Sequence, residues 1–200
     1  MYESYAMSHI KPIEYQAASE TLKDLYDEIL TTLETDSLPN WAKYLGGNYP
    51  VLRGLWNMLS GTIVQGTLMP LLQELIIFSV SRAQGSAYCA EFHAHNILEM
   101  ESTLDYEQLL EIIQGESQGI IPDKYLVAIK VATEHSQGHC VLPVQDFQEL
   151  RDAGFSPENI MEIFGLCSLA LAFNTLTTAA DIPIDQSHKV EGFSPLKAMN

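Results

Sequence analysis

The chain has 200 residues, 46% of them hydrophobic and 18% charged, which describes one folded domain, or a domain with an added arm, and excludes a disordered chain. A formal charge of −16 disfavours nucleic acid and anionic membrane surfaces as partners. Three cysteines, Cys89, Cys140 and Cys167, imply no disulfide framework and point to a reducing compartment.

Residues 1–20 lack the basic-then-apolar layout of a signal peptide. The longest apolar stretch, about Ile163 to Phe173, falls short of the ~20 residues needed to span a bilayer. A cytoplasmic protein with no membrane partner is expected.

Helical spacing dominates the chain. Leu22, Leu25, Tyr26, Ile29, Leu30 and Leu33 form one stripe of an amphipathic helix, which Ser37 to Asn40 breaks. A second helix is expected over about Val51 to Val64, closed by Gly66. Pro70 suits the first turn of a third, running to about Ala83 and apolar nearly all round, hence central and buried.

Gly85 ends that helix, and Ser86 can cap another reaching about Met100. Helices follow at Tyr106 to Gln114, Asp123 to Ser136 and Phe147 to Ala153. Ser156-Pro157-Glu158 then starts a long one ending near Ala180. The last ~15 residues suggest an irregular tail. With no convincing strand pattern and no phosphate loop, the class is all-α, a bundle of seven to nine helices.

The chemistry concentrates between Glu74 and His95. With Ser86 as cap, Cys89 takes the third helical position, where free backbone N–H groups and the helix dipole favour a thiolate. His93 stands one turn further on the same face, at a range from which it can relay the cysteine proton. Glu74 lies in the most apolar helix, with Ile77 and Phe78 one turn on, so desolvation would make it a stronger proton acceptor.

The spacing Glu-x11-Ser-x2-Cys-x3-His, set in the apolar run ELIIFSVSRAQG and followed later by FNTLTTAADIP, resembles the alkylhydroperoxidase D (AhpD)/carboxymuconolactone decarboxylase family. The likeness is close over Leu71 to Asn96 and loose over about Leu38 to Ile184. It implies an AhpD-like helical bundle, with a helical arm at 1–36, the core at 37–185 and a tail at 186–200.

It further implies Cys89 as reactive thiol, His93 as relay and Glu74 as ultimate base. The substrate would be a small hydroperoxide, the reductant an external thiol, and the assembly a homo-oligomer (dimer, trimer or hexamer). No cofactor or metal is expected.

One departure matters: Ser86 stands where the redox branch of that family has the first cysteine of Cys-x2-Cys. Oxidised Cys89 would then need an external thiol, or Cys140 in its Gly138-containing loop; Cys167 reads as core. A lyase using His93 and Glu74 alone, or a non-enzymatic oligomer, remain open alternatives. His95, two residues past His93, reads as surface or inter-subunit, and Glu91 as solvated.

Overall fold

A computed structural model describes residues 10–116, 119–138 and 141–194; His139 and Cys140 lie outside the described residues. Among those residues there are nine α-helices and no strand. The all-α expectation is met, and the boundaries show where local sequence signals were sufficient.

Helix α1 (Glu20–Thr32) is capped by Ser19, whose hydroxyl accepts from the Leu22 N–H. Its buried face, Leu25, Tyr26 and Ile29, shares one cluster with Trp41, Leu52 and Trp56. Glu28 fastens it to α3 (Tyr49–Leu59), accepting from Trp56 Nε1 at 2.6 Å and Arg53 Nη1 at 2.7 Å. Between them lies α2 (Asn40–Leu45), which the sequence reading missed. Six residues show no periodicity.

The expected Val51 to Val64 helix stops early. After Leu59 the chain makes one wide π turn, Ser60–Val64, and then a loop. Glu162 holds this loop, accepting from the N–H groups of Thr67 and Leu68, each at 2.9 Å, and from Thr67 Oγ1 at 2.8 Å.

Helix α4 (Pro70–Ala83) is the central element: every residue from Leu72 to Ser81 is buried, as its all-round apolar pattern requires. It packs against α5 (Ala87–Met100), α7 (Asp123–Ser136) and α9 (Pro157–Ala179). Gly85, at φ +71°, reverses the chain between α4 and α5. Its N–H bonds the Arg82 carbonyl and that of Ser86 bonds Ser81, satisfying carbonyls the helix end leaves free.

Helices α6 (Tyr106–Ile113) and α8 (Val144–Asp152) close the far side, α8 starting three residues before the expected Phe147. Ser156 and Asn159 cap α9 reciprocally, with Pro157 at its first position. At 23 residues, with mean hydropathy 1.6 over its most apolar window, α9 is longer than the apolar stretch read from sequence. Length and composition would let it cross a membrane, but half of that window is buried inside the protein.

The segment after α9 is irregular yet fastened. Asp185 accepts from the Asn40 N–H at 2.8 Å, capping α2 from 145 positions away, and from Tyr88 Oη at 2.7 Å. Val190 N–H donates to Glu91 at 3.1 Å, so Glu91 is engaged rather than merely solvated.

Candidate active site

The α4–α5 reversal brings Glu74 and His93 together. His93 Nδ1 lies 2.6 Å from Glu74 Oε2, and Asn96 Nδ2 donates to the same oxygen at 3.2 Å. Glu74 is only 7% exposed, so its carboxylate is held by these two donors instead of water. A carboxylate at Nδ1 keeps the imidazole proton there and leaves Nε2 as the basic nitrogen.

Cys89 is reached differently. Its Sγ lies 3.4 Å from Thr177 Oγ1 on α9, and Ser86 Oγ lies 3.4 Å from that same oxygen. Thr177 donates its one hydroxyl hydrogen to the Phe173 carbonyl at 2.8 Å. Its oxygen thus sits between the Phe173 carbonyl, the Cys89 thiol and the Ser86 hydroxyl. Ser86 stands at the cap position of α5, but its hydroxyl makes no capping bond.

The expected thiolate is not what the resting structure favours. Cys89 sits in the predicted third position of α5, yet it is 3% exposed. Burial pushes its thiol up, outweighing the hydrogen bonds with Thr177 and Ser86, which act the other way. No direct Cys89–His93 hydrogen bond forms among the described residues; the thiol is committed to Thr177 and the imidazole to Glu74.

Two adjoining cavities connect the pieces. An inner one of about 50 Å³ is lined by both Cys89 and His93, with Tyr88 and Phe173 among its walls. An outer chamber of about 240 Å³ is lined by Glu74, His93 and Asn96. Trp41, Leu59, Ile63, Phe92 and His93 border both. His93 is thus the polar group facing the thiol on one side and the chamber on the other.

Neither cavity is lined by a lysine or arginine among the described residues. Tyr88, beside the thiol, is a buried strut: it donates to Asp185 and accepts from the Trp41 N–H at 3.3 Å. Burial and the Asp185 carboxylate push its phenol well above the ordinary tyrosine range.

No protein-family model matches the sequence, and no curated relative does. Solved structures do. One is the AhpD-core, uncharacterized peroxidase-related protein from Ralstonia eutropha JMP134, at 18% identity and TM-score 0.74, covering 96% of this chain and all of that one. The fold is that of the AhpD core. A second peroxidase-related protein, from Silicibacter sp. TM1040, superposes with TM-score 0.73 at 16% identity, covering 90% of this chain and 94% of its own. A cysteine-to-alanine variant of the debrominase Bmp8 in complex with 2,3,4-tribromopyrrole gives TM-score 0.75 at 18% identity, over 92% and 95% of the two chains.

Within this AhpD-like frame, sequence reasoning named Glu74, Cys89, His93 and Ser86, and the fold gathers all four around α5. It missed Thr177, Asn96 and Asp185. Asn96 stands at three positions past His93 and was legible as a same-face partner. Thr177 and Asp185 come from elements 88 and 97 positions away from the residues they contact.

Cys167 is core, as read: buried, donating to the Ala132 carbonyl at 3.6 Å, its thiol pushed up to about 11 by burial. It lies ten positions before Thr177 on α9, about 15 Å along the helix from the Cys89 contact. No group of three or more His, Cys, Asp or Glu side chains fit to hold a metal occurs among the described residues.

Proposed function

We propose that the protein is a thiol-dependent oxidoreductase that reduces a small, uncharged hydroperoxide through the single cysteine Cys89. The observation carrying this reading is that Cys89 and the Glu74-paired His93 line one small, largely apolar cavity beside a larger chamber.

In this mechanism Cys89 Sγ attacks the distal oxygen of ROOH and the O–O bond breaks. His93 Nε2 takes the thiol proton as the attack begins and delivers it to the departing alkoxide, giving Cys89–SOH and ROH. Glu74 stabilises the imidazolium that forms between these events. An external thiol then condenses with the sulfenic acid, releasing water, and a second thiol attacks the mixed disulfide, restoring the Cys89 thiol and releasing the reductant as its disulfide. The raised resting thiol suits such a concerted transfer, in which deprotonation waits for substrate.

Ser86 offers no sulfur for resolution, and Cys167 lies too deep and too far. A reducing cytoplasm would supply the thiol, and self-association (dimer, trimer or hexamer) belongs to the same proposal. The lyase reading is disfavoured by the cavity walls, since a carboxylated lactone calls for a cationic partner there.

A second reading is thiol-driven removal of halogen from a planar heteroaromatic, favoured by the rings of Trp41, Tyr88, Phe92 and Phe173 around Cys89. Bromide release from 2,3,4-tribromopyrrole would test it.

Mass spectrometry after substoichiometric peroxide with a sulfenic-acid trap decides the main reading. Trapped product confined to Cys89 is the expected result; an unmodified Cys89 would defeat it. Size-exclusion chromatography reports the assembly.

A further inference from the structure

The outer chamber has one wall that the motif does not supply. His188 lies in the short 3-10 turn Gln186–His188, beyond the end of α9, and it lines the chamber together with Glu74 and His93. Its ring is parallel to Phe92, with centroids 4.0 Å apart and 8° between planes, while His95 stands beside it at 4.8 Å. His95 therefore meets the tail of its own chain.

The turn is fixed from both sides. Asp185 is held by Asn40 and Tyr88, and Val190 by Glu91. His188 Nδ1 pairs with Ser187 Oγ at 2.9 Å. Since Glu74 occupies His93 Nδ1 and the Asn96 amide, the chamber's imidazole nitrogens without an internal partner among the described residues are the Nε2 atoms of His93 and His188.

The charged and titratable groups around His188 are Glu74 from α4, His93 and His95 from α5, and Asp185 from its own segment. Burial, then His95, holds its imidazole below the ordinary histidine value, against the pull of Asp185. A neutral imidazole can both donate and accept a hydrogen bond.

We infer that His188 is a substrate-contacting residue, holding the polar end of a small uncharged substrate in the outer chamber while His93 handles the proton at Cys89. The kind of substrate rests on the reading proposed above; the contact itself rests on the geometry. In that reading His188 would hold the leaving oxygen of the hydroperoxide, and Phe92 would keep the imidazole upright.

Two variants separate the nitrogen from the ring. His188→Phe preserves a ring to stack on Phe92, and His188→Gln preserves a polar group of similar reach. With tert-butyl hydroperoxide and dithiothreitol, His188→Phe should raise KM and lower kcat/KM about tenfold, the loss of one hydrogen bond, and His188→Gln should recover most of it.

A second readout needs no turnover: the rate of Cys89 alkylation by iodoacetate relative to iodoacetamide, between about pH 5 and 8. In the wild type this ratio should rise as pH falls, because an imidazolium in the chamber draws in the carboxylate; His188→Phe should lose the part due to His188. The same ratio profile in both proteins would overturn the inference. A changed ratio with no hydroperoxide consumption by the wild type would keep the contact and remove the peroxidase reading.

Discussion

His93 Nδ1 and Glu74 Oε2 are 2.6 Å apart, joined across the α4–α5 reversal by a bond that fixes which imidazole nitrogen is basic. Glu74→Gln keeps the shape and removes the charge that stabilises the imidazolium. It should leave the fold intact, since the glutamine keeps an oxygen to accept from His93 Nδ1 and Asn96 Nδ2, and an imidazole, unlike a fixed charge, can rest neutral beside it. Peroxide turnover should fall about 100-fold, the low end for a general acid–base partner. Stopped-flow consumption of peroxide, with circular dichroism as the folding control, checks both parts. Unchanged kcat would mean that Glu74 serves structure alone.

Burial of Cys89 leads to a pH prediction of definite sign. Because its thiol is pushed up, alkylation by iodoacetamide at neutral pH should be slower than for a free cysteine and should keep rising above the ordinary ~8.5. A raised folded value means the native state prefers the protonated group. That contribution is fully present below the unfolded value and is lost as pH rises through the folded one. Cys167, raised from 9.0 to about 11, and Tyr26, raised to about 12, act in the same direction. The melting temperature should therefore fall between about pH 9 and 12. A flat profile over that range would contradict the burial argument.

What the sequence revealed and what it hid divide along physical lines. Local signals sufficed for α4, whose all-round apolar pattern fixes it at the centre, and for the start of α9 at Ser156-Pro157. They also placed Cys89 at the third position of α5. They could not give its protonation state, because the groups that bury and contact it include Phe173 and Thr177 on α9, more than 80 positions away.

Helix α2 escaped for a related reason. Six residues carry no period, and its free N–H is capped by Asp185 from beyond α9. His188 was invisible for want of any local context, since only the packed tail sets it on Phe92.

Glu162 supports the site from outside. Its carboxylate accepts from Thr67, Leu68 and Gln73, and so pins the π turn whose Ile63 borders both cavities. Burial opposes its ionised form, but the hydrogen bonds from Leu68 and Thr67 win and lower its pKa. The depressed value means this contribution is present above the unfolded pKa and lost as pH falls through the folded one. Glu162→Gln should cost about 1 kcal/mol, the net worth of hydrogen bonds that water can partly replace. Gly66→Ala should cost a comparable amount, because a Cβ there collides with the Thr62 carbonyl, which is backbone and cannot turn away. Chemical denaturation measures both, and a neutral Gly66→Ala would show that the loop can shift freely.

Ser86→Cys tests the departure that sets this chain apart from the two-cysteine pattern. Ser86 Oγ and Cys89 Sγ each lie 3.4 Å from Thr177 Oγ1, and positions three apart at a helix start bring their Cβ atoms about 5–6 Å apart. A disulfide prefers Cβ atoms nearer 4 Å, so the turn must tighten slightly, as the non-helical backbone of residue 86 allows. Peroxide should then convert Cys89 to an intramolecular disulfide, seen as the loss of two hydrogens in the intact mass. The sulfenic-acid trap should capture much less, and the variant should resist overoxidation over repeated cycles better than the wild type. Persistent sulfenic acid at Cys89 in Ser86→Cys would mean that Thr177 and the buried setting hold the two sulfurs apart. The serine would then be one part of a site built throughout for a single thiol.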